Sequence, residues 1–188
     1  YSNPIDFFKM LFGYKNDNDF FFNNYYTQMN NWNRIYDFNT YNDSRTIIKV
    51  NALIRIISMG NFHIHTLIFT ILSMIGFTCI FKTFKNLFTN KIGALTIAVF
   101  LLPSVLFWTS GALKESMLMF GMGILIYAMN KLLKKKLNLK YLLIIIPTIV
   151  FLFFIKFYVI LALMPSILGY IITFKFNIKR PIKVYFSI

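Results

Sequence analysis

The sequence predicts an all-α fold: an integral membrane bundle of about five transmembrane helices, with an N-terminal helical cap on the outer face. Three observations carry this. Hydrophobic residues make up 57% of the 188 and mean hydropathy is +0.62, above the roughly 45–50% apolar share of soluble domains. The apolar residues gather in runs close to span length rather than recurring with an amphipathic period. Charge is just as uneven: residues 1–62 hold six basic against five acidic side chains, while 63–188 hold fourteen basic against Glu115 alone. That excess lies in short loops between apolar runs, where it acts as a topology signal. A pI near 9.9 distributed in this way does not describe a nucleic-acid interface.

The elements follow in order. Residues 1–62 are polar and rich in Asn and Tyr, with short helical patterns near 4–12 and 19–36. A clearer helix covers 44–58, for which Asp43 and Ser44 are both suitable N-caps. Ile47, Val50, Ile54 and Ile57 share one face, and Arg45, Lys49 and Arg55 fall opposite. Such a helix either lies in the membrane interface or packs on the rest of the protein. Gly60 and Asn61 end the pattern, and spans are predicted at about 63–81, 92–108 and 112–129. Residues 141–174 are apolar apart from Lys156. One helix of that length would measure about 50 Å, too long for a hydrocarbon core of about 30 Å. Lys156 is therefore expected at the tip of a hairpin between spans 141–155 and 157–174.

Loops 82–91 and 130–140 and the C-terminal tail together carry twelve basic residues. The positive-inside rule assigns them to the cytoplasm. Residues 1–62, the polar corner 109–115 and Lys156 then share the outer face. Cys79, the only cysteine, lies in an apolar run, so no internal disulfide can form. The chain opens at Tyr1 with neither Met nor a signal-peptide pattern and is read as a segment of a longer multi-pass protein.

Candidate chemistry concentrates on the outer face. Lys114, Lys156, Arg45, Lys49 and Arg55 are cations near head-group level, suited to a phosphate or pyrophosphate carried on a lipid. Lys114 lies in the first turn of the third span, where helix amides add to that attraction; it could equally pair with Glu115 or reach out to water. Glu115, the only glutamate, is either a carboxylate stabilised by the helix dipole or a general base for a substrate hydroxyl. Asp17-Asn18-Asp19 matches D-x-D, two carboxylates able to hold one divalent cation from a loop, or forms a solvated loop tip. Asp6 is another acid of this face, and Asp43 is better read as a helix cap. His63 and His65 form an H-x-H without further ligands at suitable spacing, which favours interfacial histidines over a metal site. Trp108, Tyr127, Tyr141, Tyr158 and Tyr170 have the character of an aromatic belt. No P-loop, nucleophile elbow or dinucleotide fingerprint is present.

Phe107-Trp108-Thr109-Ser110-Gly111-Ala112-Leu113-Lys114-Glu115, preceded by Leu102-Pro103-Ser104, resembles a segment of bacterial membrane glycosyltransferases and polysaccharide (O-antigen-type) polymerases. Those proteins often carry P-S-x-x-x-W-x-S-G-x-x-K-[ED] at the outer end of a span. The stretches Asn42-Asp43-Ser44-Arg45, Asn51-Ala52-Leu53 and Ser58-Met59-Gly60-Asn61 look like the segment ahead of it. The resemblance covers about residues 42–129. It implies a multi-pass protein of the bacterial inner membrane, acting at its outer face on a polyprenyl-phosphate-linked glycan. Lys114, Arg45, Lys156, Trp108 and Ser110 would bind substrate beside Glu115. The glycosyltransferase C superfamily places a catalytic acid in its first outer loop, a role open here to Asp6, Asp17 or Asp19. A transporter or flippase-type protein for an anionic lipid-linked substrate, and a non-catalytic membrane scaffold, are the alternatives from other classes.

Overall fold

A computed structural model describes residues 3–15, 18–29, 32, 43–134 and 139–176, and the regular structure among them is helical throughout. The chain divides into two compact units, Tyr1–His65 and Thr66–Ile188.

The first unit holds α1 (Pro4–Phe12), α2 (Asp19–Asn24), a 3-10 turn at Tyr26–Gln28 and α3 (Asp43–Ser58). Pro4 opens α1, where its missing N–H removes a donor that had no helical partner anyway. Gly13 closes it in the left-handed conformation, φ +73°, with its N–H on the Lys9 carbonyl. Phe21, Tyr26 and Trp32 form a buried aromatic core, with Met10, Tyr25, Met29 and Ile48 packed around it. The Tyr26 and Trp32 rings stack at 4.7 Å and 11°, an aromatic pair worth more than its buried area alone. The apolar face expected on α3 is split. Ile54 is buried and Ile57 is 75% exposed, because the inward side is set by Asn51 and Ser58, both bonded to His65.

α4 (Phe62–Phe84) starts within this unit and continues into the second. There follow α5 (Ile92–Phe100), α6 (Pro103–Thr109), α7 (Lys114–Lys134), α8 (Leu139–Ile155) and α9 (Phe157–Lys175). Among the described residues, α4, α7 and residues 157–174 of α9 are long and apolar enough to cross a membrane. The expected span 92–108 is divided between α5 and α6, bent by 45°, the geometry of a broken span or a re-entrant loop. The cause is Pro103, which takes the first position of α6 and drives Leu102 into extended backbone at φ −67°, ψ 117°. Counted as one span, the bent pair makes four. The fifth expected span is α8, apolar but only 17 residues long. Length and composition thus support three spans, or four with the bent pair, rather than five.

Contacts give the direction of each segment. Phe100 packs on Phe81 and Phe77, while Thr109 meets Ser73, so α5 and α6 run antiparallel to α4. The backbones of α4 and α7 touch at small residues. A Cβ on Gly76 would strike the main chain of Met119 and Phe120, and one on Gly123 would strike the main chain of Gly76. Small residues allow this in membranes, where dispersion and close backbone approach replace the hydrophobic effect between helices. Gly121 admits Leu152, bringing α8 alongside α7. Leu125, Ala128, Met129, Ile145, Leu152 and Ile160 then form a common core of α7, α8 and α9. Lys156 meets Glu115 and Tyr170 meets Asn130, so α9 runs parallel to α7 with α8 returning between them. The outward positions are apolar as well, Leu143, Ile146, Phe153, Leu161 and Met164 among them. Apolar side chains on the outside as well as the inside suit lipid as the surrounding solvent. The protein is a multi-pass helical membrane bundle.

Candidate functional site

The corner between α6 and α7 is held by hydroxyls. Thr109 ends α6, and its carbonyl lacks a helical N–H partner, as the last carbonyls of any helix do. It accepts from Ser73 Oγ at 3.2 Å and Ser116 Oγ at 2.9 Å. The Ser110 carbonyl accepts from Thr70 Oγ1 at 3.0 Å, and the Gly111 carbonyl from Ser116 Oγ at 2.8 Å. Ser73 and Ser116 are fully buried. Four bonds from α4 and α7 therefore fix the backbone that leads into Lys114 and Glu115. Sequence reasoning missed these hydroxyls, although Ser73 shares a helical face with Gly76.

Lys156 is brought to this corner. Its Nζ lies 2.9 Å from Glu115 Oε1, with the two side chains 19% and 36% exposed. Lys156 is the one extended residue between α8 and α9 (φ −154°, ψ 96°) and also sits 5.8 Å from the Tyr158 ring. Burial pulls its ammonium downward. Hydrogen bonds to Glu115 and Tyr158, with the Glu115 charge, outweigh that and hold its pKa above the ordinary lysine value. Lys114 is the first residue of α7 and half-buried. Ser110 is exposed, its Oγ donating to the Phe107 carbonyl at 3.2 Å. Trp108 is 55% exposed, edge-on to Phe107 at 5.5 Å. Glu115 and Lys156 thus meet at one end of the bundle, with Lys114 next to Glu115 in sequence and Trp108 at the end of α6 that leads into the corner. The ends of α4 and α7, leading into loops 82–91 and 130–140, lie at the other.

The remaining candidates belong to the first unit. Arg45 Nε donates to the Trp32 carbonyl at 3.1 Å, and its guanidinium lies 5.2 Å from the Trp32 ring. It is thus engaged in the aromatic core. Burial, and then the Arg45 charge nearby, hold the Lys49 pKa below its ordinary value. Asp6 is buried, with its carboxylate 3.7 Å from the Lys9 ammonium. Asp19 is the first residue of α2 and exposed, while Asp17 lies outside the described residues. Among the described residues no three His, Cys, Asp or Glu side chains gather into a cation site. The D-x-D segment is described only in part.

A second polar cluster was invisible to the sequence patterns. Asn51 Nδ2 donates to the Ile47 carbonyl at 3.0 Å, which turns Oδ1 toward His65 Nδ1 at 2.8 Å. A carbonyl oxygen only accepts, so Nδ1 carries the proton and Nε2 accepts from Ser58 Oγ at 2.8 Å. The Gly60 N–H also donates to Ser58 Oγ at 3.3 Å. Serine, imidazole and amide stand in the order of nucleophile, base and orienter. Ser58, however, is 3% exposed, so the cluster ties α3 to the start of α4. Both ring nitrogens of His65 are thus engaged in hydrogen bonds. The signal in the sequence was the seven-residue spacing of Asn51 and Ser58, which puts them on one helical face.

Comparison with protein-family models, with curated proteins and with solved structures finds no match for this chain.

Proposed function

We propose that the chain acts in cell-envelope glycan assembly, transferring or polymerising sugars from a polyprenyl-phosphate-linked donor at the outer face of the bacterial inner membrane. The observation that carries this reading is the Lys156–Glu115 pair at 2.9 Å, next to Lys114 in the first turn of α7. Lys156 holds the Glu115 carboxylate in place at 2.9 Å, where it can accept the proton of an acceptor hydroxyl. Lys114 and the first-turn amides of α7 bind phosphate oxygens of the donor and stabilise charge developing on the leaving phosphate. Trp108 and Ser110 border the corner, an aromatic face and a hydroxyl for the sugar. The resemblance of residues 102–115 to membrane glycosyltransferases and polymerases agrees with this chemistry.

The orientation rests on the twelve basic residues of loops 82–91, 130–140 and the tail, which put the opposite end outside. One feature favours the transport of an anionic lipid-linked substrate instead: the broken α5–α6 segment, since transporters build their sites on discontinuous helices. That design calls for a second broken helix, whereas Pro147 and Pro165 lie within helices assigned as continuous. Glycan analysis of a deletion strain distinguishes the readings. Loss of one envelope glycan with accumulation of its lipid-linked precursor is expected, and an unchanged profile overturns the enzyme reading.

A further inference from the structure

In α1 the usual arrangement is inverted: an acidic side chain points in and phenylalanines point out. Asp6 is 8% exposed, and Met10, one turn on, packs against the aromatic core. Ile5, Phe8 and Phe12 are 64%, 52% and 77% exposed, and their i, i+3, i+7 spacing places them on one face. Lys9 flanks that face within the helix. Just beyond the Gly13 cap comes Tyr14, 63% exposed, with the Lys15 ammonium 5.5 Å from its ring. Lys9 compensates the inward carboxylate at 3.7 Å, but nothing compensates phenylalanines displayed to water. The arrangement is favourable only where the outer side is itself apolar.

We infer that the Ile5–Phe8–Phe12 face of α1 inserts into the lipid interface, with Lys15 on anionic head groups and Tyr14 at head-group level. Three features select lipid over a protein partner. The face carries no polar group that would specify a partner's register. Its border is cationic and aromatic, the composition of interfacial anchors. The unit is also joined without interruption to a membrane-crossing helix, since α4 begins within it at Phe62. The anchor goes beyond the interfacial role expected for 44–58 and is independent of the glycan reading, because it requires only that the chain sits in a membrane.

The test uses the full chain with Cys79→Ser, reconstituted in vesicles of phosphatidylethanolamine and phosphatidylglycerol. Spin labels are placed at Phe8→Cys, Phe12→Cys and, as a control on exposed α2, Asn23→Cys. Relaxation by lipid-soluble oxygen is compared with relaxation by a water-soluble nickel chelate. Labels at 8 and 12 are expected to respond several-fold more to oxygen than to nickel, and the label at 23 the reverse. A nickel-dominated response at 8 and 12 puts the face in water and overturns the proposal. Shielding from both relaxants shows a protein cover and overturns it equally. A second measurement needs no substitution in α1: a lipid with a photoreactive acyl chain should leave adducts on residues 4–15 as well as on α4. Adducts on α4 without any on 4–15 would refute the anchor.

Discussion

The two polar clusters of this protein solve opposite problems. Asn51, His65 and Ser58 form a chain in which each bond fixes the next, from the Ile47 carbonyl to the Gly60 N–H. Glu115 and Lys156 are charged and partly exposed, with Lys114 beside them. A buried network gains from being closed, because any unmade bond there costs the desolvation of its group. A charged pair at a bundle end stays partly open to solvent, and so to whatever arrives from outside. Position in the chain says nothing of this difference; exposure does.

That contrast can be broken by substitution. On the proposed function, the largest effect is expected for Lys114→Ala, which should lower turnover by roughly a hundredfold or more, about 2.7 kcal/mol of transition-state stabilisation. Membrane insertion should be unchanged. Turnover measured at matched expression decides this, and near-normal activity would make the corner structural. His65→Ala should do the converse. It strands the Ser58 hydroxyl and the Asn51 carbonyl, a loss of roughly 2–4 kcal/mol in stability, while the folded fraction keeps its turnover. Thermal unfolding in detergent, paired with activity per folded molecule, tests it.

A double-mutant cycle on Lys156→Ala and Glu115→Gln sharpens the comparison. Glu115 is more than a third exposed, so solvent screens the pair, and a coupling of about 1 kcal/mol is expected. A coupling near zero would mean that the 2.9 Å contact adds nothing to the fold. The smallest effect is that of Glu115→Gln alone on stability, about 0.3–1 kcal/mol from the lost interaction with the helix dipole. Its effect on turnover should be far larger, and that disparity is the signature separating a base from a cap.

Much of the bundle was legible because apolar length is a local property. The apolar segments read at 63–81, 112–129, 141–155 and 157–174 coincide with helices α4, α7, α8 and α9, although α8 is short of crossing length, and Lys156 marks the break between the last two. The halving of span 92–108 could have been read from Pro103, whose effect on Leu102 is equally local. The site was legible only in part. Glu115 and Lys156 meet across 41 residues of sequence, and only the shared end of the bundle hinted at it. Arg45 was read as a cation for phosphate, yet Trp32 engages it. No periodicity records that kind of contact, since Trp32 and Arg45 are thirteen residues apart in sequence. The hydroxyl bonds from Thr70, Ser73 and Ser116 were hidden for the same reason.

The lone extended residue between α8 and α9 bears on how the chain is made. No loop separates the two helices, so they leave the translocon as one hairpin whose leading tip is an ammonium group. On insertion scales a lysine at the centre of a membrane segment costs about 2.5–3.5 kcal/mol. α7 is synthesised first and presents Glu115 at the far side before that tip arrives. A carboxylate already at the far side offsets part of that cost when the ammonium arrives.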